Sequence, residues 1–174
     1  QTQETTKRWE STAARGLVQG PRTHSTMNFH RNHPMDDSMP QALDRDALDD
    51  ISARTLAYYR ERADAFREGT RDHDVSQNIA ALLDSIEGVS PFAILDLGCG
   101  PGRDLSAFAA RGHRATGLDA TAEFAAIARR ESGCDVWQQD FLALDLPASQ
   151  FDGIFANASL FHVPTQELPR VLGE

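Results

Sequence analysis

Cysteine is scarce in this 174-residue chain, which has Cys99 and Cys134 and no others. Cys99 lies inside a glycine-rich turn, which speaks against a structural disulfide and for a reducing, cytoplasmic setting. Long apolar runs are missing as well. None approaches the roughly 20 residues that a membrane span needs, and the opening stretch lacks the apolar centre of a secretory signal. Net positive charge is also absent. A formal charge of −9 argues against a broad phosphate-binding surface and so against nucleic acid as a partner. The basic residues that do occur early, Lys7, Arg8, Arg15, Arg22 and Arg31 against Glu4 and Glu10, give +3 up to His33 and leave −12 for the remainder.

Hydrophobic periodicity is missing from Gln1 to about Pro40, a stretch rich in Gln, Thr, Ser, Arg, His and Pro. Such a segment buries too little apolar surface to offset its ordering entropy, so residues 1–45 are expected to be a disordered tail. His24, His30 and His33 cluster there without the spacing of a closed metal site, and no metal is expected. Met35 is a plausible native start, and an organellar transit peptide is the alternative reading of the tail.

The ordered domain is expected over 46–174. "LDDISARTLAYYRERADAFREG" places Ile51, Leu56, Tyr59, Ala63 and Phe66 on one face of a single amphipathic helix that Gly69 stops. "VSQNIAALLDSIEG" repeats the pattern up to Gly88, so helices occupy 46–88. From residue 90 strands and helices alternate. Phe92–Leu97, "HRATGLD", "CDVWQQD" and "FDGIFANA" read as strands, with helices at Leu105–Arg111 and "AEFAAIARRES". That order predicts an α/β fold, a doubly wound parallel sheet with right-handed crossovers. The fourth strand is followed by "QELPRVLGE", so the expectation is a domain truncated after four strands. Phe151–Ala158 would then be an edge without Lys or Pro, prone to association.

The chemistry is expected at the carboxyl ends of these strands, where open α/β sheets bind ligands. Asp96, Asp119, Asp140 and Asn157 each fall at that station. "ILDLGCGPGRD" runs a strand into a glycine turn and then a helix, the plan of a nucleotide-binding βα unit. Asp119, about twenty residues further on, can accept both hydroxyls of a ribose. A dinucleotide fits poorly, because Arg103 stands where its motif needs a third glycine and Asp96 would repel phosphates. S-adenosylmethionine has a ribose, no phosphate, and an ammonium that Asp96 can attract, directly or through water. Its carboxylate can be received by the N–H groups of the glycine turn and the following helix.

"ILDLGCGPGRD", "GLDAT", "QQDFLALDLP" and "FDGIFANASLFHV" resemble, in order, the motifs of class I S-adenosylmethionine-dependent methyltransferases. "YYRERADAFREGT" resembles the N-terminal helix of bacterial small-molecule members, including those related to tellurite-resistance methyltransferases. The resemblance implies that Asp96, Gly98, Cys99 and Gly100 surround the methionine end of S-adenosylmethionine. It implies Asp119 on the ribose, Ala120 and Phe124 against the adenosine, and Asp140 with Phe141 at the adenine. Asn157 and Ala158 would flank the sulfonium. Tyr58 or Tyr59 would close over the ligand; Tyr59 is in the apolar register, which leaves Tyr58 freer to reach it.

Structural alternatives stay open at several positions. Asp96 or Asp140 can cap a turn, Asp119 can be a plain turn residue, Phe141 can be core, and Cys99 can be a small filler without a base to activate it. His162 is the candidate base, needed only if the acceptor must lose a proton; otherwise it shapes the pocket. The reaction implied is methyl transfer to a small-molecule acceptor by in-line displacement. The alternative is a cofactor-binding or partner-binding remnant without catalysis.

Overall fold

A computed structural model describes residues 42–173. The tail reading, with Met35 and the three histidines, lies outside these residues except at 42–45. Asp44 caps the first helix by accepting the Ala47 N–H at 2.9 Å, so α1 runs Arg45–Glu61. Among the described residues no helix is long and apolar enough to cross a membrane.

The single amphipathic helix expected over this region is two helices. Arg62 leaves helical geometry, with its N–H turned to the Tyr59 carbonyl at 3.1 Å, and α2 begins at Ala63 and ends at Thr70. In one straight helix Tyr59 and Phe66 would stand about 10 Å apart along the axis. The break brings their rings to 5.4 Å, edge to face, with both against Phe124. Aromatic packing against a third element thus decides where the helix ends. Helix α3 follows at Ser76–Ser85.

The sheet has four parallel strands: β1 Ala93–Leu97, β2 Arg114–Leu118, β3 Asp135–Trp137 and β4 Gly153–Phe155. Their order is β3-β2-β1-β4. The chain therefore moves outward from β1 through β2 to β3 and returns to the other side of β1. The switch point lies between β1 and β4, where a crevice opens at the carboxyl ends. Helices α4 (Arg103–Ala110) and α5 (Ala122–Ser132) make the crossovers. β2, β3 and β4 are shorter than the sequence suggests, so Asp119, Asp140 and Asn157 sit in loops just beyond their strands.

The two faces of β1 carry different cores. Ile94 packs with Ile79 of α3, Phe108 of α4 and Phe155 of β4. Leu95 and Leu97 face the other way, with Leu118, under Trp137 of β3 and Phe141, Phe151 and Leu160 from the connections after β3 and β4. β4 pairs with β1 alone among the described residues, and its Ile154 is half exposed. A short helix α5 to β3 connection turns on Gly133, and α6 occupies Leu168–Val171.

Candidate cofactor site

A cavity of about 690 Å³ opens over the carboxyl ends of β1, β2 and β4, roofed by α1 and α2. This size is typical of a small-molecule or cofactor site. Its floor is the turn after β1. Gly98 has φ of 82°, and a Cβ there would come within 2.4 Å of Ser159. Ser159 is itself held by its hydroxyl donating to the Leu97 carbonyl at 2.6 Å. Gly102 has φ of 90°, and a Cβ would meet the backbone of Ala128 at 2.8 Å. The close helix approach that the dinucleotide motif places at its third glycine is therefore made here by Gly102. Arg103, one residue on, is released to turn its side chain to the cavity wall.

Asp119 occupies the position its station predicts. One carboxylate oxygen accepts the Gly100 N–H at 2.9 Å and the other the Thr121 N–H at 2.8 Å. A carboxylate has about four lone-pair sites, so each oxygen keeps capacity toward the cavity it lines. Burial raises its pKa, against the pull of those two N–H groups. Ala120 and Phe124 line the wall beside it, and Tyr59 and Phe66 complete an aromatic corner on Phe124.

Asp140 also lines the cavity, and it caps as well. Its Oδ1 accepts the Leu142 N–H at 2.8 Å at the start of a short 3-10 turn, and its Oδ2 accepts the Ser52 hydroxyl of α1. Phe141 belongs both to the core under Leu97 and to the cavity wall, so its two readings are compatible. Asn157 donates to Asp104 at 3.3 Å and accepts from Asn78 at 3.0 Å. Ala158 has φ of 54°, uncommon for a residue with a Cβ, and lines the cavity next to it.

Three expectations need correction. Asp96 does not line the cavity. It sits within β1, 2 % exposed, on the face under the first turn of α4, with Oδ2 unpartnered among the described residues. Burial, then the neighbouring Asp104 and Asp119 charges, push its pKa well up. Alternation along the strand turned it toward α4 and away from the cavity lining. Tyr58 is the second. It is half exposed on the outside of α1, its ring under the Arg62 guanidinium at 4.2 Å, and it lines only a shallow outer groove. Adjacent helical residues point about 100° apart, and Tyr59 took the inner face.

The third correction concerns the backbone donors of the glycine turn. Gly98 and Cys99 both donate to the Leu118 carbonyl, at 2.8 and 3.0 Å, and Gly102 to the Cys99 carbonyl at 3.1 Å. Gly100 is committed to Asp119, and Pro101 has no N–H. The turn is tied to β2 and has no N–H left for an anion. Cys99 lines the cavity but is buried, and burial with the Asp96 and Asp119 charges raises its thiol pKa, as suits a filler.

His162 stands at the roof. Its Nε2 is 2.9 Å from the Tyr59 hydroxyl, their rings meet edge to face, and both residues line the cavity and the outer groove. Burial lowers the His162 pKa, and burial with the Tyr58 and Asp119 charges raises that of Tyr59. Both groups are therefore neutral near pH 7. Sequence reasoning missed Ser52, Thr121, Arg103 and Asp104. Only Arg103 had left a signal, as the wrong residue at a glycine site.

A family model described as a methyltransferase domain matches residues 94–174. Among curated proteins, hemagglutinin 1 of Eikenella corrodens is 27% identical over 143 residues, 78% of this chain and 46% of that protein. Malonyl-[acyl-carrier protein] O-methyltransferase of Enterobacter lignolyticus is 35% identical over 85 residues, 45% of this chain and 34% of that enzyme. The chain thus spans less than half the length of these relatives. Among solved structures, a Burkholderia thailandensis 1,6-didemethyltoxoflavin-N1-methyltransferase with bound 1,6-didemethyltoxoflavin and S-adenosylhomocysteine gives a TM-score of 0.58 at 25% identity, covering 80% of this chain and 64% of that one. Magnesium protoporphyrin IX methyltransferase of Synechocystis PCC 6803, with bound S-adenosylmethionine, gives 0.57 at 19% identity, covering 77% and 71%. The described residues carry the Rossmann-like α/β fold of the class I methyltransferases, and their cavity opens at the switch point of the methyltransferase domain matched over 94–174.

Proposed function

We propose that this chain binds S-adenosylmethionine in the cavity and transfers its methyl group to a small-molecule acceptor. The observation that carries the reading is Asp119: a carboxylate at the end of β2, fixed by two N–H groups, with lone pairs left over the cavity for a ribose diol. The wall chemistry suits a cation. Asp72, Asp74, Asp104, Asp119 and Asp140 line it, against one guanidinium, Arg103. A sulfonium is favoured in such a field and a pyrophosphate is not.

The remaining roles are those the resemblance implies, and the cavity lining is compatible with them. Phe124 and Ala120 offer an apolar surface to the adenosine, and Asp140 with Phe141 borders the place of the adenine. Gly98, Cys99 and Gly100 form the floor under the methionine chain, beside Asn157 and Ala158. The cofactor when bound supplies a methyl group on a good leaving group. The protein then has chiefly to align the acceptor and keep water out, which is worth up to about 7–11 kcal/mol. Tyr59 and Phe66 cover the cavity from α1 and α2, and His162, held neutral by burial, can take a proton where the acceptor carries one.

The neighbours that methylate a toxoflavin precursor and a porphyrin support a small acceptor. The tellurite-resistance-like subtype rests on the α1–α2 segment alone. Free cysteines at 99 and 134 accord with a cytoplasmic place of action. Calorimetry tests the reading: S-adenosylmethionine and S-adenosylhomocysteine should bind with micromolar affinity and NADH should not. Preferential binding of NADH would overturn it.

A further inference from the structure

Ile51, Arg54, Thr55 and Tyr58 follow one another at the i, i+3, i+4, i+7 spacing of one helix face, so they form a stripe along α1. With Tyr59 and His162 they line an outer groove of about 440 Å³. We propose that this groove is the docking site of the methyl acceptor, and that the acceptor is a planar aromatic molecule bearing a carboxylate. The assignment rests on the cofactor reading above and names the acceptor class which that reading leaves open.

The groove is continuous with the cofactor cavity. Ile51, Thr55, Tyr59 and His162 line both, whereas Arg54 and Tyr58 line the groove alone. Its walls are aromatic. Tyr58 meets Tyr59 edge to face at 5.4 Å, Tyr59 meets His162 in the same way at 5.2 Å, and the Phe161 ring lies 4.0 Å from that of His162. This row of four rings runs from α1 to the turn after β4. Its two ends, Tyr58 and Phe161, are 53 % and 71 % exposed, so large rings at the mouth of the groove are open to a partner. A flat ligand can meet such rings in the offset or edge contacts that aromatic groups prefer.

Charge separates the two compartments. Five aspartates line the cavity, and among the described residues no carboxylate lines the groove, where Arg54 is the charged side chain. Arg62 adds a second cation at the rim, its guanidinium 4.2 Å over the Tyr58 ring. Both arginines have neighbours: Arg54 pairs with Asp50 at 2.7 Å and Arg62 with Glu61 at 3.3 Å, all four side chains half exposed or more. Exposed pairs of this kind hold little free energy, so a ligand carboxylate can take the place of Asp50. That carboxylate is attracted at Arg54 and repelled by the aspartates of the cavity, so the charged end of the acceptor points outward. The other end of its ring then lies at Tyr59 and His162, the residues the groove shares with the cofactor cavity.

The test is calorimetry on the whole chain saturated with S-adenosylhomocysteine, using three probes. They are p-hydroxybenzoate, p-hydroxybenzylamine, which reverses the charge, and cyclohexanecarboxylate, which keeps the charge without the flat ring. The parent should bind p-hydroxybenzoate roughly 5- to 10-fold more tightly than either of the others. Tyr58→Ala should weaken that probe about 2- to 10-fold, the worth of an aromatic pair, and Tyr58→Phe should leave it as in the parent. Arg54→Gln should remove most of the preference for p-hydroxybenzoate over the amine. Neither substitution should change the affinity for S-adenosylhomocysteine, since neither residue lines the cavity. A preference for the amine, equal affinities for the three probes, or a p-hydroxybenzoate affinity unmoved in both variants would overturn the proposal. A parent that binds S-adenosylhomocysteine and none of the three probes sinks the acceptor site alone. A folded parent that does not bind S-adenosylhomocysteine brings down the cofactor reading and this assignment with it.

Discussion

The floor of the cavity is wired through the backbone, whereas its roof is held by side chains. On the floor, Gly98, Cys99, Gly100 and Gly102 spend their N–H groups on Leu118, Asp119 and Cys99, so β1, β2 and the turn form one hydrogen-bonded unit. The roof rests on Ser52 with Asp140, Tyr59 with His162, Arg103 with the Thr70 carbonyl, and the rings of Tyr59 and Phe66 on Phe124. It also has an Arg67–Glu131 pair at 2.6 Å and an Arg60–Glu123 pair at 3.5 Å whose side chains are largely exposed. An exposed ion pair of this kind adds between nothing and about 1 kcal/mol. A pocket closed on one side by separate side-chain contacts rather than by a hydrogen-bonded backbone can open there without disturbing the other. The comparison places geometry in the floor and access in the roof.

The largest effect should come from breaking the floor at Gly102. Gly102→Ala combines a left-handed backbone with a contact of 2.8 Å to the Ala128 backbone. The expected loss is about 2–5 kcal/mol of stability by denaturant unfolding. A loss within 0.5 kcal/mol would mean that α4 and α5 are looser than described. Asp119→Ala comes next. It removes an acceptor from two backbone N–H groups and from the ribose, so S-adenosylhomocysteine affinity should fall about 100-fold or more by calorimetry, at roughly 1.5–3 kcal/mol per charged hydrogen bond. An unchanged affinity would take Asp119 out of the site.

Asp96 gives the floor a pH dependence. Its folded pKa lies well above that of an unfolded carboxylate, so the native state holds the proton more tightly. The stability this contributes is complete below the ordinary carboxylate range and is lost as pH rises through the raised value. Asp96→Asn should therefore flatten the fall in stability with rising pH and raise Tm at pH 7 by a few degrees, on the order of 1 kcal/mol. A variant with the parent's pH slope would place the titration elsewhere. The smallest effect belongs to the roof: Tyr59→Phe loses one partly buried hydrogen bond, about 0.5–1 kcal/mol. Hydrogen exchange should quicken in α1 and stay unchanged in β1. Equal quickening in both would erase the distinction between roof and floor.

Legibility followed the same division. "GCGPG" and Asp119 were readable because their contacts are local or sit at fixed stations of a βαβ unit, whose order and handedness leave little choice. The expected anion site in the turn failed because hydrogen-bond partners are a matter of where β2 lies, and Leu118 is twenty residues distant in the chain. The same holds for Asp96. Strand alternation allows either face, and only the packing of α4 on β1 decided which face is closed to the ligand.

By itself the sequence determined the alternation of helices and strands, the glycine turn and the acid at the end of β2, since backbone conformation and short-range patterning settle these. The tertiary structure alone decided three things: the break at Arg62, the second use of Asp140 by Ser52, and the turn of Arg103 and Asp104 into the cavity. Each depends on a partner far away in the chain, and such pairings are fixed by close packing and hydrogen-bond satisfaction across elements rather than by local pattern.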